Sequence, residues 1–100
     1  MMRISQQQAM QIKKIAQQKM GVNAIVWLFG SRVDDNAKGG DIDLLIETHQ
    51  AVDESVLMAA SIATKVMRLF NGRKTDVIIQ APNLKHLPIH DIAQQTGIKL

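Results

Sequence analysis

The first apolar pattern in the chain has the period of a helix. Between residues 5 and 20, glutamine and lysine fill most positions, and Ser5 and Gly21 are suitable as the N-terminal cap and the stop. A glutamine- and lysine-rich face of this kind is more typical of a solvated helix than of a nucleic-acid surface. The apolar residues fall on one side of this predicted helix, as an amphipathic helix requires: Ala9, Ile12, Ile15, Ala16 and Met20.

Three later segments have the patterns of strands. Residues 24–29 form an unbroken apolar run that ends at a glycine, which predicts a strand buried on both faces, with Trp27 in the core. Residues 41–48 and 75–80 alternate, so that side chains of even and odd number lie on opposite faces. One face is purely apolar and is expected to carry helices, whereas the other carries carboxylates. The predicted carboxylate face contains Asp41, Asp43, Leu45 and Glu47 of the second strand and Asp76, Ile78 and Gln80 of the third.

A second long helix is predicted over residues 53–70, with Asp53 as its N-cap and Glu54 in its first turn. Residues 56–64 carry no charge, and a helix that is apolar nearly all round is buried on more than one side. Met58 and Ile62 form a predicted second apolar ridge on this helix, beside the side that rests on the sheet. A second protein chain and the C-terminal segment are equally good candidates to bury this ridge. A short helix, with Pro88 in its first turn and Gly97 after its end, is predicted over residues 88–95.

Composition narrows the class of protein. One hundred residues with 46% hydrophobic and 21% charged content predict one globular domain over residues 1–100. The chain has no cysteine and no signal-like or membrane-spanning apolar stretch, so a cytoplasmic protein without disulfides is expected. The net charge of +3 mildly favours anionic ligands such as nucleotides, but one tryptophan, no tyrosine and no dense basic run argue against direct nucleic-acid binding.

The candidate chemistry lies between the first two strands. Asp41 and Asp43 share a strand face, and two carboxylates at such a short distance repel each other unless a cation lies between them. Magnesium fits, because it takes carboxylate oxygens together with substrate phosphates. Gly30 permits close approach of the backbone to a ligand, and Ser31 supplies a hydroxyl and an N–H. Asp34 and Asp35, on the polar loop, are interpreted as solvated. His86 and His90 are four residues apart, but Pro88 between them argues against a helical metal pair.

These residues also carry a resemblance to a known family. GSR at 30–32, followed after a polar loop by DID at 41–43 and further apolar residues, resembles the DNA polymerase beta-type nucleotidyltransferases. The short length is similar to the minimal nucleotidyltransferases, antitoxin partners of HEPN-type toxins in two-gene operons. The resemblance extends over about residues 12–100, but its specific residues are 28–47 and Asp76. It implies an α+β fold, in which helices pack on one face of a mixed sheet.

The resemblance further implies a reaction and its residues. Asp41, Asp43 and Asp76 would be catalytic and would hold two magnesium ions, and Gly30, Ser31 and Arg32 would bind the nucleotide. Arg32 could instead hold the loop through Asp34 or Asp35. The implied reaction transfers a nucleoside monophosphate, AMP from ATP, to a hydroxyl of an acceptor. The chain would need a partner for the acceptor side, either a HEPN-type toxin or a second copy of itself.

Two other functions stay open at this point. One is a non-catalytic antitoxin or nucleotide-binding module that acts by contact with its partner, and the other is a nucleotidyltransferase for a small molecule such as an aminoglycoside. The presence of all three aspartates argues against an inactive enzyme.

Overall fold

The computed structural model describes residues 4–30 and 41–100. Helices and strands follow each other along the chain in the predicted sequence, with one additional short strand at the end. The elements are α1 (Gln6–Met20), β1 (Ile25–Phe29), β2 (Ile42–Glu47), α2 (Ser55–Leu69), β3 (Thr75–Gln80), α3 (Pro88–Thr96) and β4 (Ile98–Lys99). The six predicted elements are confirmed, and β3 has the predicted bounds.

The four strands form one mixed sheet with the order β3-β2-β1-β4. The pairs β1–β2 and β1–β4 are antiparallel, whereas β2 and β3 are parallel, with α2 as the crossover between them. The predicted α+β class with a mixed sheet is confirmed. β4 was not predicted, because two residues are too short to show a strand pattern.

The main core lies between one sheet face and the two long helices. Side chains of even number in β1 and β2 point into it, among them Val26, Leu28 and Leu44. α1 contributes the predicted apolar side, with Ile12 and Ala16 fully buried. Its N-terminus has the predicted cap, because the Ser5 hydroxyl accepts from the N–H of Gln8 while the Gln8 side chain accepts from the N–H of Ser5.

The short helix α3 extends this architecture to the opposite face. The expectation of helices on one face holds for α1 and α2, but Ala93 of α3 packs on Phe29 and Leu45. The physical reason is that Leu45 shares the carboxylate face and needs an apolar cover, which only another element can provide. After α3, Gly97 comes so close to the sheet that an added Cβ would lie 2.8 Å from the Leu28 carbonyl oxygen, and β4 then pairs with β1.

The start of α2 differs from the prediction. The N-cap is Glu54 in a left-handed conformation with φ of 51°, without a side-chain cap, so the assignment of Asp53 as N-cap was wrong. The chain before the helix is instead held from a distant segment. The Asn83 side-chain oxygen accepts from the Val52 N–H, and its amide donates to the Val52 carbonyl, both at 2.9 Å. A contact across thirty-one residues replaces the local cap.

The apolar surface of α2 is also distributed differently from the prediction. Ile62 is fully buried and Met58 packs on the main core, so the assignment of these two residues to an outer ridge was wrong. Met58, Ile62 and Val66 follow one another at a spacing of four residues, on the side of α2 that faces the main core. The exposed large apolar residues of α2 are Val56 and Leu57, at 81% and 64%. Among residues 4–30 and 41–100, none of the helices combines the length and the apolar character that a membrane crossing requires.

We expect Asn83→Ala to destabilise the fold by about 1–3 kcal/mol, because it leaves the N–H and the carbonyl of Val52 without partners at a buried residue. The free energy of unfolding from urea titration measures this change. Asn23→Ala, at an exposed position, is the matched control and should change stability by less than about 0.5 kcal/mol. Equal losses in the two variants would show that the Asn83 bridge does not stabilise the start of α2.

Candidate functional site

Two aspartates lie side by side on adjacent strands. Asp43 of β2 is the register partner of Asp76 of β3, and parallel neighbours are about 4.8 Å apart. The expected alternation holds in both strands, because Leu44 and Val77, the next residues along each chain, point to the main core. Asp43 is half-buried and Asp76 is exposed. The structure thus brings together two carboxylates from segments thirty-three residues apart in sequence.

The third predicted carboxylate, Asp41, lies just before β2. It is two residues from Asp43 and is 45% exposed. The Lys74 ammonium lies 3.7 Å from its carboxylate, and Lys74 itself is 70% exposed, so this ion pair contributes little to stability. Lys74 is in reach of Asp41 because it lies beside the start of β2, where the Lys74 carbonyl accepts from the N–H of Ile42.

The electrostatics of the cluster combine burial with repulsion among like charges. Burial raises the pKa of Asp43 above its ordinary value, and the neighbouring charges of Asp76 and then Asp41 raise it further. Lys74 offsets only part of this effect. The ionised form of Asp43 is therefore less stable than that of an isolated carboxyl, and a divalent cation would offset the repulsion among the three carboxylates.

Gly30 forms the wall of the site next to Asp43. Its φ of 74° lies in the left-handed region, which suits glycine. A Cβ placed on Gly30 would lie 2.3 Å from the nearer carboxylate oxygen of Asp43 and 3.2 Å from the carboxylate carbon. The sequence indicated that glycine here permits close approach of the backbone to a ligand. In the structure the group in close approach is the Asp43 carboxylate, so Gly30 determines where that side chain can lie.

Other predicted residues fall outside the described ranges. Ser31 and Arg32, the expected phosphate contacts, and the loop aspartates Asp34 and Asp35 all belong to residues 31–40. Their roles stay predictions.

The histidines near α3 have a structural role. His90 is buried, and its Nδ1 accepts a hydrogen bond from the Leu87 N–H at 3.0 Å. Burial lowers the pKa of His90, and His86 adds to this effect while Asp91 opposes it, so the neutral ring suits this acceptor role. The His86 ring instead contacts Asp91 at 2.9 Å. α3 begins at Pro88, so His86 precedes the helix while His90 lies in its first turn.

Trp27 and Glu47 are a pair that the sequence did not reveal. The Trp27 ring is half-buried against Leu45 and Ala93, and its indole N–H donates to the Glu47 carboxylate. The core assignment of Trp27 therefore holds for its ring, while its polar edge needs an acceptor. Both residues lie on the sheet face that carries Asp43, which is the signal that the alternation offers. Which residues of two strands come close together depends on their register, and the sequence does not show the register.

The aspartate cluster suits a hard divalent cation, although it does not form a complete metal cage. Its donors are carboxylate oxygens, the ligands that magnesium prefers. Among residues 4–30 and 41–100, no three acidic, histidine or cysteine side chains already stand in a geometry that could hold a metal ion. A cavity of about 320 Å³ near Met20 and Thr48 lies at the other end of β2, and no aspartate of the cluster lines it.

Comparison with known proteins identifies one family model that matches most of the chain. The family model described as "Polymerase beta, Nucleotidyltransferase" matches residues 10–99, which include all the strands and every candidate site residue. No curated protein matches the chain. The mixed sheet with the aspartate cluster on one face is consistent with this family's fold. The chain therefore belongs to the polymerase beta nucleotidyltransferase family.

Proposed function

We propose that the chain is a single nucleotidyltransferase domain that transfers AMP from ATP to an acceptor hydroxyl. The observation that supports this most is the register pair Asp43–Asp76, with Gly30 against the Asp43 carboxylate. Nucleotidyl transfer in general follows from the family. The choice of AMP, and of a hydroxyl on a HEPN-type toxin as acceptor, extends the resemblance to the minimal nucleotidyltransferases.

The three aspartates would hold magnesium together with the triphosphate. Asp41 and Asp43 would hold the ion that accompanies the nucleotide, and Asp43 and Asp76 a second ion near the acceptor. Bound magnesium supplies a Lewis acid that offsets the charge on the transferred phosphoryl group and on the leaving pyrophosphate. Asp43 is the carboxylate shared by both ions, and the charges of Asp76 and Asp41 both raise its pKa.

The remaining steps belong to the chain's own residues. Asp76 is exposed, so it can face an incoming acceptor hydroxyl and accept its proton. The acceptor oxygen forms a bond to the alpha-phosphorus, and the bond from that phosphorus to pyrophosphate breaks. Gly30 leaves room for the Asp43 carboxylate, and Ser31 and Arg32 would contact the beta- and gamma-phosphates.

The fate of the phosphates tests this proposal. With magnesium and a candidate acceptor, label from the alpha-phosphate of ATP should appear on the acceptor, whereas label from the gamma-phosphate should leave as pyrophosphate. Parallel reactions with GTP, CTP and UTP test the preference for adenine. A different result would favour an antitoxin that acts by contact. In that case the chain binds the nucleotide tightly and neutralises its toxin partner, but transfers no label to it.

The first prediction for this site concerns Asp43→Asn. The change keeps the side-chain volume but removes a ligand charge, so we expect the transfer rate to fall by more than about 100-fold, since changes even to residues that support metal ligands cost about 10- to 100-fold. Asp53→Asn, at an exposed carboxylate outside the site, is the matched control and should keep the wild-type rate. Transfer at the wild-type rate by purified Asp43→Asn would refute the proposed role.

The second prediction concerns pH and the metal-free protein. Because folding raises the pKa of Asp43, the folded chain binds that proton more tightly than the unfolded chain does. The wild type should therefore lose stability relative to Asp43→Asn as the pH rises from the ordinary pKa of 3.8 through the raised value. Urea titrations of both proteins in a chelator, over a pH series, measure the difference. A difference that is independent of pH over this window would contradict the raised pKa.

The third prediction separates two effects of Gly30→Ala. Gly72 also has a left-handed φ, of 87°, but a Cβ there would meet nothing within 4 Å. Gly30→Ala and Gly72→Ala should therefore both lose roughly 1–2 kcal/mol of stability through their backbone conformation. Only Gly30→Ala displaces the Asp43 carboxylate, so only this variant should lose magnesium-dependent nucleotide affinity, as calorimetry can measure. Unchanged affinity in Gly30→Ala would show that the turn has a structural role alone.

A further inference from the structure

Lys74 stands beside the aspartate cluster, directly before β3. Its carbonyl accepts from the N–H of Ile42 at 3.0 Å, and its ammonium lies 3.7 Å from the Asp41 carboxylate. Asp43 and Asp76, the next charged residues along the two strands, are register partners. The four charged side chains therefore form two facing pairs at this end of the sheet, one of opposite charge and one of like charge.

The charge of Lys74 acts beyond this ion pair. It lowers the pKa of Asp43, against the opposing effects of burial, Asp76 and Asp41. Arg73 precedes Lys74 in the chain and is also exposed, but it is not among the charges that shift the pKa of Asp43. The position of the Lys74 ammonium opposite Asp41, rather than the basic character of this turn as a whole, is therefore what affects the cluster.

The ion pair between Lys74 and Asp41 can be exchanged at little cost. The two side chains are 70% and 45% exposed, and exposed pairs of this kind are weak. A divalent cation carries twice the charge of an ammonium, so it attracts the same carboxylate more strongly, and it repels the ammonium. An ammonium that gives up its carboxylate has three N–H donors, which suit the oxygens of a triphosphate.

We propose that Lys74 is a nucleotide-binding residue with two successive partners, the Asp41 carboxylate in the metal-free protein and a phosphate oxygen of the metal-bound nucleotide. The inference rests on the proposed function, in which Asp41 and Asp43 hold the ion that accompanies the nucleotide. Its consequence is a pair of effects with opposite sign. The charge of Lys74 opposes the binding of a metal ion alone, and it favours the binding of that metal together with a nucleotide.

Two titrations of a matched pair of variants test this consequence. Lys74→Gln and Arg73→Gln each remove one positive charge from adjacent exposed residues. Manganese, which carboxylates also bind, is titrated alone and followed by its paramagnetic signal, and a non-hydrolysable ATP analogue is titrated in excess magnesium by calorimetry. Lys74→Gln should lower the Kd for manganese by about three- to tenfold and raise the Kd for the nucleotide by a similar factor. Arg73→Gln should change neither by more than about twofold, and Lys74→Arg, which keeps the charge, should stay near the wild type.

The direction of the two changes separates a role in binding from a structural role. Loss of both affinities in Lys74→Gln, unchanged affinities, or equal effects of Lys74→Gln and Arg73→Gln would overturn the inference. Asp43→Asn separates this failure from failure of the proposed function. If Asp43→Asn weakens manganese binding while Lys74→Gln changes nothing, the carboxylate site stands and only the role of Lys74 is wrong. If Asp43→Asn binds manganese and nucleotide like the wild type, the proposed site is wrong, and the role of Lys74 falls with it.

Discussion

The repulsion between Asp43 and Asp76 is the interaction on which the site depends. Their strands are parallel neighbours in register, so the two carboxylates cannot separate without a shift of one strand along the other. Such a shift by one residue would turn every core side chain of that strand to the wrong face. The apolar residues of the main core therefore hold the like charges together, and the sheet retains a site with excess negative charge that a divalent cation would neutralise.

The surroundings of Asp43 strengthen this effect. Asp43 is opposite Phe29 on β1, and α3 covers Phe29 and Leu45 on the same face. This apolar cover ends beside the carboxylate, and burial is the largest cause of the raised pKa of Asp43. α3 thus covers the apolar neighbours of Asp43 on this face, whereas Asp76 is exposed.

The two edges of the sheet differ in length. One edge is the two-residue strand β4, which pairs with β1 after Gly97 brings the chain against the Leu28 carbonyl. The other is the six-residue strand β3, which carries Asp76 and pairs only with β2 among residues 4–30 and 41–100. Exposed edges of this kind favour pairing with another strand. The position of Asp76 on the edge strand also means that whatever pairs with β3 lies next to the proposed acceptor side of the site.

Local patterns in the sequence determined most of the elements and the face on which each aspartate lies. Ser5 and Gly21 delimit α1, and the alternation in residues 41–48 and 75–80 predicts the shared face of Asp43 and Asp76, because both depend on neighbours in the chain. Tertiary structure decided what depends on distant contacts. Asn83 fixes the start of α2 in place of an Asp53 cap, and Met58 and Ile62 face the core because the sheet lies on that side. The register of β2 with β3, the contact of Gly30 with Asp43, and the cover from α3 likewise join segments that no local pattern connects.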